Sequence, residues 1–555
     1  HAIMAEAKKT GSDKFYLDIS YKDLDIFLTH KHHDHCGLAS TFAKKGAKIF
    51  MNPEEERHSY DCLYMQMGEE SQKEQKEVMR EFFECQLIDG EWVKSSGEAF
   101  IPVENPADRS TIARVPDGTA EDVDRAVRAA RKAFPAWSKM TLETRIALME
   151  RMLEIFRGMT EEIVALEIAE LGAPAAFARK KHCDYQMRRT AAFIDAARKM
   201  KLEEHFPASL VTREPVGVVA AITPWNYPLG QIIQKAVPAI LMGCTVALKP
   251  SELTPLTATL LAEAFREAGL PPGVFNLVQG RGETVGEALV AHPGVDMVSF
   301  TGSTKVGRRI GAVASRDLKR IALELGGKSP CVWLSGMSDY RPAAKKLFDS
   351  LLLNAGQTCT ALSRLLVPEE MLGETKALLI EALKNYPVGD PRDLSTRVGP
   401  VVSLGQFQRV KRAIESGLDE GAEMIAGEVP KDPGENEGYF IRPTVFVNVR
   451  PEMKIAQEEI FGPVLSVLTY RTLDEAEAIA NGTPYGLCGA VFGPKQEALD
   501  FARRIRSGNV YINDAERDLA APFGGFGASG IGREGGIYGL EEFTELKAVF
   551  EHSTF

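Results

Sequence analysis

A single cysteine stands in a short polar loop whose composition favours chemistry over packing. Cys359 lies in the run Asn-Ala-Gly-Gln-Thr-Cys-Thr, directly after a segment at 343–353 with a helical pattern. Upstream are a carboxylate, Glu324 in Glu-Leu-Gly-Gly-Lys, and an amide, Asn226 in Thr-Pro-Trp-Asn-Tyr-Pro. A nucleophile, a base and an amide donor are the parts of an acyl-transfer site built on cysteine.

Each of these residues has a simpler interpretation when it is taken alone. A lone cysteine is more often a small buried hydrophobic residue than a nucleophile. Glu324 by itself would be interpreted as a helix-end or surface charge. The presence of all three residue types favours an enzyme over a non-catalytic binding or structural protein.

Alternating segments of two kinds must position these residues. From Pro215 onward, β-branched runs alternate with helical patterns, at 216–222, 232–241, 245–248, 257–267, 275–278, 282–290 and 295–300. Further strand-like runs lie at 331–334, 365–368, 422–425, 444–449, 464–469 and 490–492. Alternating strands and helices predict an α/β protein with two open sheets. Upstream, 85–93 predicts a hairpin and 120–131 predicts an amphipathic helix capped by Thr119.

Two strand ends in the first run carry residues suited to a nucleotide. Thr301, Gly302 and Ser303 stand where a strand meets a helix, and such a junction can seat a phosphate. The spacing departs from the usual dinucleotide glycine pattern, so a simple helix cap is the alternative. Lys249 and Glu252 follow another strand, where the plain alternative is an ion pair.

Composition excludes several classes of partner. The chain has 555 residues, 44% of them hydrophobic, with a net charge of −11. An acidic balance gives no general attraction to nucleic acid or to an anionic membrane. No run of 18 apolar residues and no signal peptide is evident, and the eight cysteines are scattered. These features predict free thiols in a reducing, cytoplasmic setting.

The first 82 residues have a different character. A strand-like run at 25–29 leads into a cluster of potential metal ligands, followed by a helical pattern at 38–45 and a second strand-like run at 47–51. The cluster consists of His30, His32, Asp34 and His35. This spacing resembles the zinc-binding motif of the metallo-β-lactamase fold family, but the remaining ligands and most of that domain are absent. We therefore interpret 1–82 as a truncated relic or fusion fragment with a connector, and metal binding as the lesser alternative. The first residue, His1, agrees with a fragment or a processed product.

From about residue 83 to the C-terminus, the motifs resemble the NAD(P)-dependent aldehyde dehydrogenase superfamily. The resemblance implies that Cys359 attacks the aldehyde, that Glu324 activates water, and that Asn226 helps to stabilise the oxyanion. It implies a proton path through Lys235 and Glu534. It also implies NAD as cofactor, with NADP as the alternative. The residues implied to contact the cofactor are Thr223, Trp225, Lys249, Glu252, Thr301, Gly302, Ser303, Leu325, Glu459 and Phe461.

The same resemblance implies a domain organisation and an assembly. Residues 83–200 and 215–322 would form a Rossmann-like NAD-binding domain, and 323–542 a catalytic domain. Residues 201–214 and 543–555 would form a small oligomerisation element, in which the last strand joins the sheet of a partner subunit. A homodimer or homotetramer is therefore expected.

The carboxylate Glu324 also separates two reaction types within the superfamily. Members that transfer the acyl group to coenzyme A lack it, so its presence predicts hydrolysis to a free acid. A bifunctional chain with a metal-binding head is the other functional alternative, and the missing ligands argue against it.

The sequence suggests a class of aldehyde substrate but does not identify the aldehyde. Polar side chains, among them Gln231 and Gln234, follow the amide motif, and Thr358 and Thr360 flank the cysteine. A charged loop, 514–517, stands where the family has its substrate-access loop. We hypothesise a polar aldehyde, with Arg517 meeting an acidic tail. The alternative is a surface ion pair of Arg517 with Asp514 or Glu516.

Overall fold

The computed structural model describes residues 25–28, 48–51 and 81–550, and it divides the chain into two units, 1–81 and 82–555. In the first unit, Asp25–Leu28 and Lys48–Met51 form a parallel pair of strands, and both strands were predicted from the sequence. The histidine and aspartate cluster and the helical pattern at 38–45 lie outside the described residues.

The first open sheet of the second unit has eight strands. In spatial order they are Gly530–Ile531, Arg320–Glu324, Met297–Thr301, Val218–Ile222, Thr245–Lys249, Phe275–Leu277, Gln86–Ile88 and Glu91–Val93. The five central strands, from Arg320–Glu324 to Phe275–Leu277, are parallel, and most of their residues are buried. Burial on both faces explains why they are continuous apolar runs and do not alternate.

The second open sheet has seven strands. In order they are Glu423–Ala426, Thr444–Val447, Val464–Tyr470, Arg364–Pro368, Pro330–Trp333, Cys488–Phe492 and Asn509–Ile512. All neighbouring pairs are parallel except the first, which is antiparallel. The predicted fold class, α/β with two open sheets, is confirmed.

The helices largely follow the predicted pattern, with shifted ends. The longer ones are Ala120–Trp137, Leu142–Gly158, Tyr185–Lys199, Pro228–Leu241, Leu256–Glu267, Thr304–Ala314, Arg341–Leu351, Leu372–Leu383 and Leu404–Asp419. Thr119 caps the first of these through a reciprocal capping box with Asp122, which confirms the predicted cap. Glu167–Leu171 forms a π-helix, and the helical pattern predicted at 282–290 begins as another, Gly282–Gly286. No helix among the described residues combines the length and the apolar character needed to cross a membrane.

Two late segments of the second unit add strands to sheets built from earlier parts of the chain, and only the first departs from the expected domain boundaries. Gly530–Ile531 pairs antiparallel with Leu323–Glu324, so the segment expected in the catalytic domain adds an edge strand to the first sheet. Thr544–Phe550 pairs antiparallel with Ser209–Pro215 of the same chain, which in turn pairs with Glu203–Phe206. The third sheet therefore has three strands in this chain, with Thr544–Phe550 at one edge.

Candidate active site

The loop that carries Cys359 has an unusual backbone. Asn354, Ala355 and Gly356 are consecutive residues with positive φ angles of 52°, 54° and 79°. A Cβ atom on Gly356 would lie 2.2 Å from the backbone carbon of Gly462. Only glycine allows this approach without strain, so the neighbouring backbone holds the loop in place directly before the thiol.

Two buried amide residues that precede Cys359, Asn354 and Gln357, are hydrogen-bonded to Asn226. The Asn226 side chain donates from Nδ2 to the main-chain carbonyl of Gln357 at 3.0 Å. Asn354 Nδ2 donates to the main-chain carbonyl of Asn226 at 2.7 Å, and Gln357 Nε2 donates to Asn354 O at 2.9 Å. A primary amide has two N–H donors, so Asn226 keeps a second donor for a ligand. Sequence reasoning missed Asn354 and Gln357, although both are amide residues in the cysteine loop.

Glu324 is the last residue of strand Arg320–Glu324 and is 5% exposed. Neither of its carboxylate oxygens has a hydrogen-bond partner among residues 81–550. Burial raises the pKa of Glu324 well above its ordinary value, and the charge of Glu534 adds to this, while Lys235 opposes it. A buried carboxyl group without partners is the form expected of a proton acceptor that is kept ready for a bound water.

Lys235 and Glu534 form a buried ion pair next to Glu324. Lys235 Nζ lies 2.8 Å from Glu534 Oε1, and both residues are largely buried. The backbone of Glu534 exchanges two hydrogen bonds with Phe523, which fixes its position. Glu534 Oε2 has no hydrogen-bond partner among the described residues. The structure thus brings three of the predicted catalytic residues into one electrostatic group.

Cys359 lies against the end of the strand that carries Glu324. A Cβ atom on Gly327 would lie 2.4 Å from the Cys359 carbonyl oxygen, so the two backbones are in direct contact. Burial raises the pKa of the Cys359 thiol, and the charges of Glu459 and Glu324 raise it further. The thiol is therefore protonated in this state, and a base or a cation must assist its ionisation.

The predicted nucleotide residues line up at the ends of the first sheet. Thr223 N donates to Lys249 O at 3.1 Å, and Lys249 Nζ lies 2.8 Å from Glu252 Oε2. Burial alone would raise the pKa of Glu252, but the charge and hydrogen bond of Lys249 outweigh it and the pKa is lowered. The Oγ1 atoms of Thr223 and Thr301 are buried without a hydrogen-bond partner among the described residues.

The junction at Gly302 lies beside the ring of Phe300. A Cβ atom on Gly302 would lie 2.4 Å from Cζ of Phe300, so a larger residue would require this ring to move. Ser303 accepts a hydrogen bond from Val306 N at 3.3 Å and caps helix Thr304–Ala314. Both the cap and an exposed helix N-terminus are thus present, and the two interpretations of the sequence are compatible.

The rings of Trp225 and Phe461 are in edge-to-face contact. Their ring centroids are 5.3 Å apart at 88°, and Phe461 has a positive φ of 61°. Glu459 Oε1 accepts a hydrogen bond from Gly327 N at 2.9 Å. Leu325 contacts helix Thr304–Ala314, since a Cβ atom on Gly307 of that helix would lie 2.4 Å from Cδ2 of Leu325. Of these four predicted cofactor residues, Glu459 binds the backbone of Gly327, which contacts Cys359.

The residues expected to determine substrate specificity have different hydrogen-bond and ring contacts. Tyr227 hydroxyl lies 2.8 Å from Thr358 Oγ1, and its ring stacks on His182 with centroids 5.0 Å apart. Gln231 and Gln234 each have a buried Oε1 without a partner among the described residues. The sequence did not single out His182, which lies far from the motif in the chain.

Comparison with known proteins agrees with this arrangement. Residues 92–549 match the profile of the aldehyde dehydrogenase family. A Staphylococcus haemolyticus relative that bears the aldehyde dehydrogenase name is 44% identical over 468 residues, which is 84% of this chain and 98% of the relative.

Two solved structures are similar over nearly their whole length. Aldehyde dehydrogenase C of Pseudomonas syringae, a cysteine-to-alanine mutant in complex with NAD⁺ and octanal, has 42% identity and a TM-score of 0.83. It covers 85% of this chain and 97% of that one. A Mycobacterium tuberculosis aldehyde dehydrogenase in complex with NAD⁺ has 40% identity and a TM-score of 0.83, with coverage of 85% and 99%.

A nucleotide-type sheet, a second open sheet and a cysteine–glutamate–amide site define an oxidoreductase of the aldehyde-oxidising class. This chain belongs to the aldehyde dehydrogenase family.

Proposed function

We propose that this enzyme oxidises an aldehyde to a carboxylic acid with NAD, using Cys359 as nucleophile and Glu324 as the base for hydrolysis. The observation that carries the proposal is the buried, unpartnered carboxyl group of Glu324, three residues before Gly327, whose backbone contacts that of Cys359. The NAD⁺ complexes of the similar P. syringae and M. tuberculosis enzymes support the choice of cofactor.

The residues at the first sheet fit a dinucleotide. The orphan hydroxyls of Thr223 and Thr301 and the N-terminus of helix Thr304–Ala314, which follows Gly302 and Ser303, suit a phosphate-bearing ligand. Glu252 is held ionised by Lys249, so it can accept hydrogen bonds from ribose hydroxyls and repels an added 2′-phosphate. We therefore favour NAD over NADP. When bound, NAD supplies the hydride acceptor.

The remaining contacts of NAD follow from the same arrangement. We assign Ser303 to the pyrophosphate with Gly302, Glu459 to the nicotinamide ribose, and Trp225, Leu325 and Phe461 to the walls around the ring. The support for these assignments is the contact of Glu459 with Gly327 and the edge-to-face pair of aromatic rings beside it.

Cysteine chemistry is required because an aldehyde has no leaving group. Attack by the Cys359 thiolate makes the carbonyl carbon tetrahedral, and the resulting oxyanion is stabilised by the free N–H of Asn226 and by the Cys359 main-chain N–H. Loss of hydride leaves a thioester on Cys359. Glu324 then accepts a proton from water, which attacks the thioester and releases the acid. Lys235 and Glu534 carry that proton away from Glu324.

The domain boundaries and the assembly are part of the same proposal. We assign 83–200 and 215–322 to the nucleotide domain, 323–542 to the catalytic domain, and 201–214 with 543–555 to oligomerisation. Strand Thr544–Phe550 leaves one edge without a neighbour among the described residues, and it exposes Leu546 and Phe550 at 64% and 82%. An exposed apolar edge strand supports a homodimer or homotetramer. The scattered thiols favour the cytoplasm.

The test is the appearance of NADH when the full chain is mixed with NAD and a panel of aldehydes. We expect turnover that disappears in Cys359→Ala and persists in Cys331→Ala, whose cysteine is buried in the second sheet. Substitution of Cys359 should leave NAD binding intact by calorimetry. Equal turnover in the wild type and in Cys359→Ala would reject the assignment of the nucleophile.

A further inference from the structure

Two short π-helices carry a fully buried polar pair. Glu167 begins π-helix Glu167–Leu171, and His182 lies within a second one, Ala178–Asp184. Both residues are 0% exposed, and His182 Nδ1 lies 2.9 Å from Glu167 Oε2. Turns of π-helix are rare and occur frequently at functional sites. The steps of the proposed reaction use neither residue.

The ring of His182 is held from three sides. Glu167 contacts Nδ1 at the edge of the ring, although the two groups are not aligned as a hydrogen bond. Phe177 meets the ring edge-to-face, with centroids 4.8 Å apart at 85°. On the third side the ring of Tyr227 lies parallel to it, with centroids 5.0 Å apart at 9°. Offset stacking and edge-to-face contacts are both favourable for aromatic rings, so the position of Tyr227 depends on that of His182.

Tyr227 connects this ring to the cysteine loop. Its hydroxyl lies 2.8 Å from Thr358 Oγ1, and Thr358 Oγ1 donates to the main-chain carbonyl of Leu353 at 3.4 Å. A threonine hydroxyl has one hydrogen, so Tyr227 donates and Thr358 accepts in the bond that they share. Thr358 is the residue directly before Cys359. The hydroxyl of Tyr227 therefore holds the loop at the position next to the thiol.

Tyr227 and its neighbour Asn226 bind the loop together. The Asn226 side chain donates to the main-chain carbonyl of Gln357, so two consecutive residues bind two consecutive residues of the loop. One hydrogen bond leaves the loop free to turn about that point, and a second bond beside it prevents the rotation. The direction of the Cys359 thiol therefore depends on both bonds.

Burial limits what the polar pair can do. Because no part of Glu167 or His182 reaches the surface, a direct contact with substrate or cofactor is excluded. Glu170 of the same π-helix is engaged with the first two residues of helix Leu256–Glu267, whose main-chain N–H groups donate to it at 2.7 and 3.1 Å. An effect of His182 on the reaction must therefore pass through the side chains packed on it. Of these, Tyr227 is the one that contacts the cysteine loop.

We propose that His182 is a positioning residue: stacked on Tyr227, it holds the Tyr227 hydroxyl on Thr358 and so keeps the cysteine loop aligned for attack. The inference rests on the proposed function. Glu167 keeps the His182 ring in place and contributes to the stability of the fold. Activity should therefore follow the flat ring, whereas stability should follow the contact with Glu167. A residue that only stabilised the fold would give activity and stability that change together.

Two substitutions separate these effects. His182→Phe keeps a flat ring on Tyr227 and removes the contact with Glu167, whereas His182→Leu removes both. We would measure Tm and the single-turnover rate constant of NADH formation, with the full chain and NAD in excess over the aldehyde. His182→Phe should lower Tm, because a buried carboxyl group loses its partner. Its rate constant should stay within about 3-fold of the wild type, since the stack is retained.

His182→Leu should lower both quantities. We expect the rate constant to fall by about 10-fold, which is less than the roughly 100-fold that a full 1 Å displacement of the thiol can cost. A rate constant for His182→Phe as low as that for His182→Leu would overturn the proposal, because it would show that the flat ring is not what matters.

A double-variant cycle tests the route through Tyr227. Tyr227→Phe keeps the stack and removes the hydroxyl, so it should lower the rate constant by about as much as His182→Leu. Because both changes act on one hydrogen bond, adding the second should slow the reaction by no more than about 2-fold. A loss of about 100-fold in the double variant would overturn the proposal, since independent effects add in free energy.

Phe265→Leu is the matched control. Phe265 is a buried ring that contacts the ring of Phe275, with centroids 4.6 Å apart, in the core of the first sheet. This substitution should lower Tm and leave the rate constant unchanged, and a loss of rate equal to that of His182→Leu would overturn the proposal. If turnover depends on Cys359 but does not respond to His182→Leu, only the positioning role is rejected. NADH formation that is independent of Cys359 rejects the proposed function, and the positioning role with it.

Discussion

The side-chain amide of Asn226 donates a hydrogen bond of 3.0 Å to the main-chain carbonyl of Gln357, two residues before Cys359. This bond joins the loop after strand Val218–Ile222 of the first sheet to the cysteine loop. It also fixes the orientation of the second N–H of the Asn226 amide. Asn226→Ala should lower kcat by about 10²–10³-fold, as expected for loss of an oxyanion donor. Steady-state kinetics of NADH formation would measure it. Asn385→Ala, at an exposed asparagine, is the control. A change confined to KM would contradict the role.

Glu324→Gln should separate the two halves of the reaction. The amide cannot accept a proton from water, so the thioester forms once and then persists. We expect a burst of NADH close to one per site, followed by a steady rate lowered by about 10²–10⁴-fold. In the wild type, hydrolysis should accelerate as pH rises through the raised pKa of Glu324, because only the ionised form is a base. Stopped-flow absorbance measures the burst, and full steady turnover by the variant would exclude Glu324 as the base.

The same substitution predicts a pH-dependent change in stability. The pKa of Glu324 is raised in the folded state above its ordinary value of 4.5, so folding favours the protonated form. Its stabilising effect is complete below the unfolded pKa and is lost as pH rises through the folded pKa. Glu324→Gln, which is neutral at every pH, should therefore gain in Tm relative to the wild type as pH increases. A Tm difference that is constant with pH, by calorimetry, would contradict burial of this carboxyl group.

Replacing one member of the pair Lys235–Glu534 should lower Tm more than replacing both. Lys235→Met leaves a buried carboxylate unpaired, which typically costs about 3–5 kcal/mol. The double variant with Glu534→Gln should recover most of the loss in Tm. Lys235→Met should also move the pH dependence of hydrolysis to higher pH, since Lys235 lowers the pKa of Glu324. Equal Tm values for the single and double variants would show that the two residues are not coupled.

Gly356→Ala tests the geometry of the cysteine loop. The added Cβ would meet the Gly462 backbone at 2.2 Å, at a φ of 79° that alanine avoids. Displacement of the thiol by about 1 Å can cost about 10²-fold in rate, so we expect at least that loss. Gly373→Ala, at a helical glycine with no atom within 4 Å of the new Cβ, should be neutral or slightly stabilising. Normal activity in Gly356→Ala would show that the loop tolerates movement.

The sequence predicted the order and type of most elements because their patterns are local. Buried parallel strands such as Val218–Ile222 are apolar throughout, and the helix after Thr119 carries its own cap. The ends of helices and the π-helical turn at Glu167–Leu171 were not predicted, since they depend on tertiary contacts.

The site residues that belong to a motif could be predicted from the sequence. Those that only the packing of the fold brings to the site were missed. Asn354 and Gln357 hold Asn226 through hydrogen bonds between residues about 130 positions apart, a relation that spacing does not reveal. His182 contacts Tyr227 only because a distant helix brings its ring there. The ion-pair partner of Arg517 could not be predicted from the sequence either. Asp514 lies in the same loop, but in the fold it pairs with Lys346.

The pairing of Gly530–Ile531 with Leu323–Glu324 has a consequence for protein engineering. The two acidic residues of the site, Glu324 and Glu534, lie far apart in the chain yet on either side of one short antiparallel contact. A chimera that exchanges the nucleotide half of this chain for that of a relative would break this contact unless segment 522–534 travelled with it. The exchangeable unit is therefore discontinuous, and a crossover at a linker alone would give a hybrid in which Glu324 and Glu534 are misaligned.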